Sequence, residues 1–229
     1  MGEPNVRFVN RGNRSGEIWL YDQVGADPWF GGISAKSFAD ELNKLGKVDV
    51  VNLRINSPGG SVFDGLAIYN TLARHPARIE VDVDGVAASI ASVIAMAGDE
   101  IRMASNATMM IHDPYGMSAG SAQDMRKTAD LLDQIKGQIV DTYANRTGKD
   151  ATALADMMAN ETWMTAQEAR QHGFSDATTE EQRIAAYVDL TVFNFKHPPK
   201  RADANATPAR DIASVRLALQ QKRMAGSSA

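Results

Sequence analysis

The sequence predicts an α/β fold, on three observations. Strand-like and helix-like periodicities alternate along the sequence in a β-α-β-α order. Residues 79–84 alternate strictly: Ile79, Val81 and Val83 are apolar, while Glu80, Asp82 and Asp84 are acidic. That is the period of a half-buried strand. Farther on, Met125, Ala129, Leu132, Ile135, Ile139 and Tyr143 recur at three- and four-residue spacing, which marks one apolar helix face.

The elements follow in order. Residues 1–16 carry no clear period and are expected to be a flexible N-terminal segment. Residues 17–21 (Glu-Ile-Trp-Leu-Tyr) read as a strand, and residues 25–32 as a loop with Pro28 and bounding glycines. Ser34 caps a helix with Phe38, Leu42 and Leu45 on one face, and Gly46 ends it. Residues 48–55 form a second strand, followed by the sharp turn Asn56-Ser57-Pro58-Gly59-Gly60 and a helix to about Arg74. After the strand at 79–84, the Ala- and Ser-rich stretch Gly85 to Gly98 reads as a buried helix. Residues 100–111 hold two short strands around Asn106, ending at Ile111-His112. The long helix runs from about Ser121 to Arg146 and is about 40 Å long. A small domain cannot cover that length, so part of it is expected to meet a partner. Thr165-x-x-Glu168 is a capping box for a short helix ended by Gly173. In the tail, Ile212, Val215 and Leu219 line one face of a possible short docking helix after Pro208.

Composition narrows the function classes. The protein has 229 residues, 44% apolar and 23% charged, enough to bury a core. It has no cysteine, which excludes disulfide scaffolds, thiol nucleophiles and Cys-based metal sites. The net charge of −4 argues against binding nucleic acid over the whole surface. Residues 196–229 hold seven Lys or Arg and two acids, a net +5, which leaves −9 on residues 1–195. The composition shift divides the protein into a body at 17–195 and a basic tail at 196–229. No apolar leader is evident at the start. The stretch from Gly85 to Gly98, 14 residues, falls short of the roughly 20 a bilayer span needs.

The sequence lacks Gly-x-x-x-x-Gly-Lys-Ser/Thr, Gly-x-Gly-x-x-Gly and His-Glu-x-x-His. Nucleotide hydrolysis, dinucleotide redox and zincin chemistry are therefore disfavoured. No metal-ligand spacing is present, and no cofactor is expected. Four features could carry chemistry. Ser89, at the start of a small-residue helix, sees oriented N–H groups that would stabilise an oxyanion. His112, ending a strand before Asp113-Pro114, could serve as its base. The turn Ser57-Pro58-Gly59-Gly60-Ser61 can present N–H groups to an anion or a peptide carbonyl. Glu161, in Glu161-Thr162-Trp163, could orient His112. Taken singly, each has an ordinary structural explanation: a packed helix, a core histidine, a tight turn, a solvated loop acid.

Taken together and in order, these motifs match a known family. Asn56-Ser57-Pro58-Gly59-Gly60, then Gly85-x-Ala87-x-Ser89, then Met110-Ile111-His112-x-Pro114, then Thr165-Ala166-x-Glu168-Ala169 with Gly173-x-x-Asp176 resemble the ClpP serine peptidases over about residues 17 to 178. Trp29-Phe30-Gly31, Phe63-Asp64-Gly65-Leu66-Ala67-Ile68-Tyr69 and Glu161-Thr162-Trp163 more closely resemble the ClpP-related head maturation proteases of tailed phages.

The resemblance implies a ClpP/crotonase-like spiral of β-β-α units, with the long helix as a protruding handle. It implies Ser89 as nucleophile and His112 as general base, with oxyanion-hole N–H groups from Gly60 and Ile90. An extended peptide would pair with the backbone around Gly60, Ser61 and Val62, and around Pro114, Tyr115 and Gly116. The family's acid is usually Asp; alignment places Glu161 there, with Asp113 and Asp156 as rivals. The implied function is a serine endopeptidase in a homo-oligomeric ring, heptameric in type and able to stack. It would act on scaffold or major capsid protein within proheads in the host cytoplasm. Alternatives are the proteolytic subunit of a bacterial ATP-dependent Clp protease, which needs an ATPase unfoldase, and a catalytically idle ring used in capsid assembly. An N-terminus that does not match the axial loops and the extra basic tail count against the housekeeping subunit. An acyl-CoA enzyme of the crotonase fold is disfavoured, because it does not need this Ser/His pair.

Overall fold

The computed structural model describes residues 6–12, 14–26, 32–181, 190 and 195–198. β1 (Val6–Gly12) and β2 (Ser15–Leu20) form an antiparallel hairpin. β2 then runs parallel to β3 (Val50–Ser57), and β3 to β4 (Arg78–Ala88). β4 runs parallel to β5 (Glu100–Ala104), and β5 to β8 (Ala177–Thr179). The crossovers carry α1 (Ala35–Lys44) and α2 (Val62–Ala73). Parallel neighbours require such crossovers, which is why strand and helix periods alternate in the sequence.

β4 does two jobs along one edge. Its first half pairs with β5, ending at Val83 opposite Met103. Its second half pairs with β6 (Thr108–Ile111), from Val86 opposite Thr108 to Ala88 opposite Met110. On its other edge the register to β3 shifts at the same place, from Ile55 opposite Val83 to Ser57 opposite Ala87. This bulge falls at Asp84, Gly85 and Val86 and redirects the strand. Side chains repair the ladder there. Asn56 Oδ1 accepts the Val86 N–H at 3.2 Å. Asp84, buried, accepts from Arg54 Nε at 2.8 Å and from the Tyr21 hydroxyl. Burial pushes the Tyr21 phenol up to about 12, which keeps it a donor.

Alternation sorts the two faces of the sheet. Leu53, Ile55, Val81, Ile101 and Met103 are fully buried, in one core with Ile68 and Leu72 of α2. The opposite face of β4 and β5 carries cross-strand ion pairs, with Arg102 bonded to Asp82 at 2.8 Å and to Glu80 at 3.1 Å. Ser34 caps α1 as expected, and Thr165 with Glu168 forms the capping box of α6 (Ala166–Gln171). The long helix α4 (Ala122–Thr147) opens on a second capping box, Ser121 with Asp124, and ends at Gly148 in the left-handed conformation. Only its second half is seated: Ile135, Ile139, Val140 and Tyr143 are buried, while Met125 is 51% and Leu131 45% exposed.

Four expectations differ from the structure. The stretch from Gly85 to Gly98 is not one helix: β4 continues to Ala88, and α3 spans only Ile90–Ala95. Pairing with β6 overrides the helix propensity of Val86-Ala87-Ala88. Within the segment read as flexible, residues 6–12 form a strand, held by the hairpin that closes between Gly12 and Ser15. Two strands, β7 (Thr162–Thr165) and β8, are too short to show a period. α5 (Ala151–Ala159), capped by Asp150, follows α4 so closely that its signal merges with it. The possible docking helix after Pro208 and the rest of the tail beyond 198 lie outside the described residues.

Candidate active site

The site is built where β4 and β6 end side by side. The Ser89 N–H donates to the Met110 carbonyl at 2.9 Å, extending the ladder by one bond. Ser89 then adopts φ 55° and ψ −129°, a conformation unfavourable for a residue with a Cβ. The backbone turns sharply into α3, and the serine side chain is thrown out of the turn. A polar brace holds this elbow. Ser92 Oγ donates to the Ser89 carbonyl at 2.5 Å, and the buried Tyr143 hydroxyl lies 2.8 Å from Ser92 Oγ. Since the Ser92 proton is on the carbonyl, Tyr143 is the donor, and burial keeps its phenol protonated. The seated half of α4 thus supports the residue at the centre of the site.

His112 lies one residue past β6, and its Nε2 sits 2.8 Å from Ser89 Oγ. Burial lowers its pKa; the charges of Glu161 and, second, Asp113 oppose the shift without cancelling it. The imidazole is therefore neutral at pH 7 and able to accept a proton from Ser89. Below the pair lies a cavity of about 220 Å³, lined among others by Pro58, Gly60, Val62, Pro114 and Tyr115.

The glycine turn comes up against the elbow. A Cβ on Gly59 would lie 2.8 Å from Ser89 Cβ and 2.6 Å from the Ala88 carbonyl oxygen, and its φ is +90°. In the next residue, Val24 bridges Gly60 in parallel, taking the Gly59 carbonyl and the Ser61 N–H at 2.8 Å each. That pattern turns the N–H of Gly60 away from Val24. The Ile90 N–H stands at the first position of α3, where an amide has no acceptor within the helix.

The sequence comparisons bear on this constellation. The Clp protease family model matches residues 14–182, which include every strand and helix from β2 to β8. The chain belongs to the Clp protease family. By class it is a serine peptidase. It is 32% identical over 174 residues to the ATP-dependent Clp protease proteolytic subunit 1 of Leifsonia xyli subsp. xyli, a match spanning 74% of this protein and 85% of the relative. It is 31% identical over 151 residues to subunit 1 of Salinibacter ruber, spanning 65% of each protein. It is 37% identical over 132 residues to subunit 3 of Rhodococcus jostii, spanning 57% of this protein and 65% of the relative.

Not every expected site residue of this Clp protease sits as anticipated. Ser89 and His112 are brought together. Glu161 is buried beside them, but among the described residues it touches His112 through charge alone. Its hydrogen bonds come from Trp163 Nε1 at 3.1 Å and from the backbone N–H groups of Lys196 and His197 at 2.7 Å each. Asp113 pairs with Lys136 at 2.9 Å. Asp156 is exposed on α5, with its backbone carbonyl bonded to Asn160. At Ser61 the N–H goes to Val24, the carbonyl accepts from Gly65, and the hydroxyl caps α2. Pro114 and Tyr115 line the cavity, and Gly116 is exposed just beyond them. Sequence reasoning missed Gln23 and Phe195 on the cavity wall, and the Tyr143–Ser92 brace. Tyr143 was legible only as one position of an apolar face.

The direction of the His112 shift gives a pH prediction. A base must be neutral to act, so activity rises with pH through the His112 pKa. The acid limb of kcat/KM is expected below about 6.5, the ordinary histidine value. Glu161→Gln removes a charge that raises this pKa, so the limb moves to lower pH; Asp113→Asn moves it the same way by less. A pH–rate profile of the three proteins checks the order, and an acid limb above the ordinary value would contradict it.

Proposed function

We propose that this Clp protease is a serine endopeptidase working through an acyl-enzyme. The observation that carries the reading is the 2.8 Å approach of His112 Nε2 to Ser89 Oγ at the cavity. A peptide lies extended along the Gly60 and Pro114–Gly116 backbone, added as a strand. His112 takes the Ser89 proton as Oγ attacks the carbonyl carbon. The N–H groups of Gly60 and Ile90 receive the oxyanion. On collapse, His112 gives its proton to the departing amine; water, activated by the same base, then releases the acyl group. Glu161 stabilises the transient imidazolium by its charge. Fluorophosphonate labelling read by intact mass tests this: one adduct on the parent protein, none on Ser89→Ala.

The setting we propose is phage head maturation, with scaffold or major capsid protein as substrate and a stacked, heptamer-type ring as the working form. The motif text shared with that branch supports it, as does a basic tail on an acidic body, suited to anchoring on an acidic shell lining. Removing residues 199–229, which spares the two amides bonded to Glu161, is expected to leave peptide hydrolysis intact and to lower incorporation into proheads. Unchanged incorporation would defeat the anchoring role. A second reading rests on the relatives' names as ATP-dependent subunits. It predicts that adding a Clp ATPase and ATP turns peptide hydrolysis into degradation of folded proteins. An idle assembly ring predicts that Ser89→Ala leaves maturation intact.

A further inference from the structure

Phe195 lies beyond residue 182, where the family match ends, yet it lines the catalytic cavity. Its ring packs edge-on against the His112 imidazole, with centroids 5.8 Å apart at 76°, and against Trp163 at 5.5 Å and 84°. Tyr115 meets His112 at 5.8 Å and 62°. Two aromatic rings thus flank the base, one from the loop after β6 and one from the segment that follows the family region.

That segment is held by a built anchor. The two residues after Phe195 donate their backbone N–H groups to the two oxygens of Glu161, which is 5% exposed. Trp163 Nε1 donates to the same carboxylate. Hydrogen bonds to an ionised acceptor are about twice as strong as neutral ones. Burial pushes the Glu161 carboxyl up; the two amides and Trp163 more than offset it, so the group stays ionised. Trp163 faces Met110 across the β6–β7 ladder and Thr162 faces Ile111. The anchor is therefore placed by the same strands that place His112.

We infer that Phe195, latched by Glu161, is a specificity-determining wall of the cavity that limits the size of the substrate side chain beside His112. The inference rests on the peptidase reading above. At about 220 Å³ the cavity is smaller than the roughly 300–1,000 Å³ of small-molecule sites, so it holds a single side chain. Beside the polar Gln23, Ser89 and His112, its walls of Pro58, Val62, Pro114, Tyr115 and Phe195 suit a small or medium side chain. Glu161 acts through Phe195 here and is a positioning residue.

The test is a series of fluorogenic peptides carrying Ala, Leu or Phe at each of the two residues flanking the scissile bond, with kcat/KM measured for the full-length protein. In Phe195→Ala the ratio of Phe to Ala substrates is expected to rise about tenfold or more at one of the two positions, the scale of a few methylenes in an apolar pocket. Phe195→Trp is expected to lower the same ratio. Glu161→Gln offers one acceptor oxygen where the carboxylate offered two, so it shifts the ratio in the direction of Phe195→Ala. Thermal melts identify any variant that fails to fold, and the two opposed Phe195 variants keep the test decisive. Hydrolysis that depends on Ser89 with an unchanged ratio in both Phe195 variants would overturn this inference alone. Absence of Ser89-dependent hydrolysis by the parent protein would overturn the peptidase reading and this one with it.

Discussion

Ser89→Ala is expected to lose hydrolysis and fluorophosphonate labelling by at least about 10³-fold, and His112→Ala by a similar factor. The double variant should be no worse than either single one, because nucleophile and base act as a unit. Additive losses would mean that the two residues do not share a step, despite their 2.8 Å contact. The unusual backbone at Ser89 adds a second readout. Alanine and glycine both remove the hydroxyl, but alanine keeps a Cβ at φ 55°. Ser89→Gly should therefore be more stable than Ser89→Ala by about 1 kcal/mol, the reverse of the usual order within regular elements. Denaturant melts of the two inactive proteins measure the difference, and an Ala variant at least as stable as Gly would contradict the strain.

Gly59→Ala is expected to abolish activity without touching either reacting side chain. Its Cβ would press within 2.6 Å of the Ala88 carbonyl oxygen and 2.8 Å of Ser89 Cβ. Neither neighbour can swing aside, since one is strand backbone and the other the elbow itself. The positive φ and the overpacking together should cost about 2–4 kcal/mol. The displaced elbow would also move Oγ away from Nε2 and shift the Ile90 amide. A folded Gly59→Ala protein with parent-like labelling would show that the turn has room the contacts deny it. Gly148 makes a useful control: it also has positive φ, but open space around it, and it lies at the far end of α4. Alanine there should cost stability but not chemistry.

Much of this site was legible because its parts are local. Ser34, Thr165 with Glu168 and the Pro-Gly-Gly turn announce themselves by residue type, and each is found as read. The alternation at Ile79, Val81 and Val83 survives because one face is core and the other pairs with Arg102. His112 was readable as a strand-end residue, and Ser89 as a serine at the start of a small-residue helix. What failed was non-local. Val86-Ala87-Ala88 looks helical until β6 arrives to pair with it. Two of the three partners of Glu161 come from residues 35 and 36 positions away, outside the motif that singled it out. Phe195 carries no periodic signal, and nothing near it in sequence marks it as part of a catalytic centre.

The fork in β4 has a consequence for how this site can vary. Ser89 follows Ala88, Ala88 is paired with Met110, and His112 comes two residues after Met110. The meeting of Oγ and Nε2 is thus a matter of counting. Side chains along a strand face alternate sides, so a slip of one residue between β4 and β6 would turn the whole set over, and the imidazole with it. A slip of two would carry it about a rung beyond reach. Intermediate settings do not exist, and β4 cannot slide to make one while its first half is pinned to β5 and its other edge to β3. The spacing of this catalytic pair is therefore quantised: substitutions around it can keep the setting or lose it, but they cannot dial it.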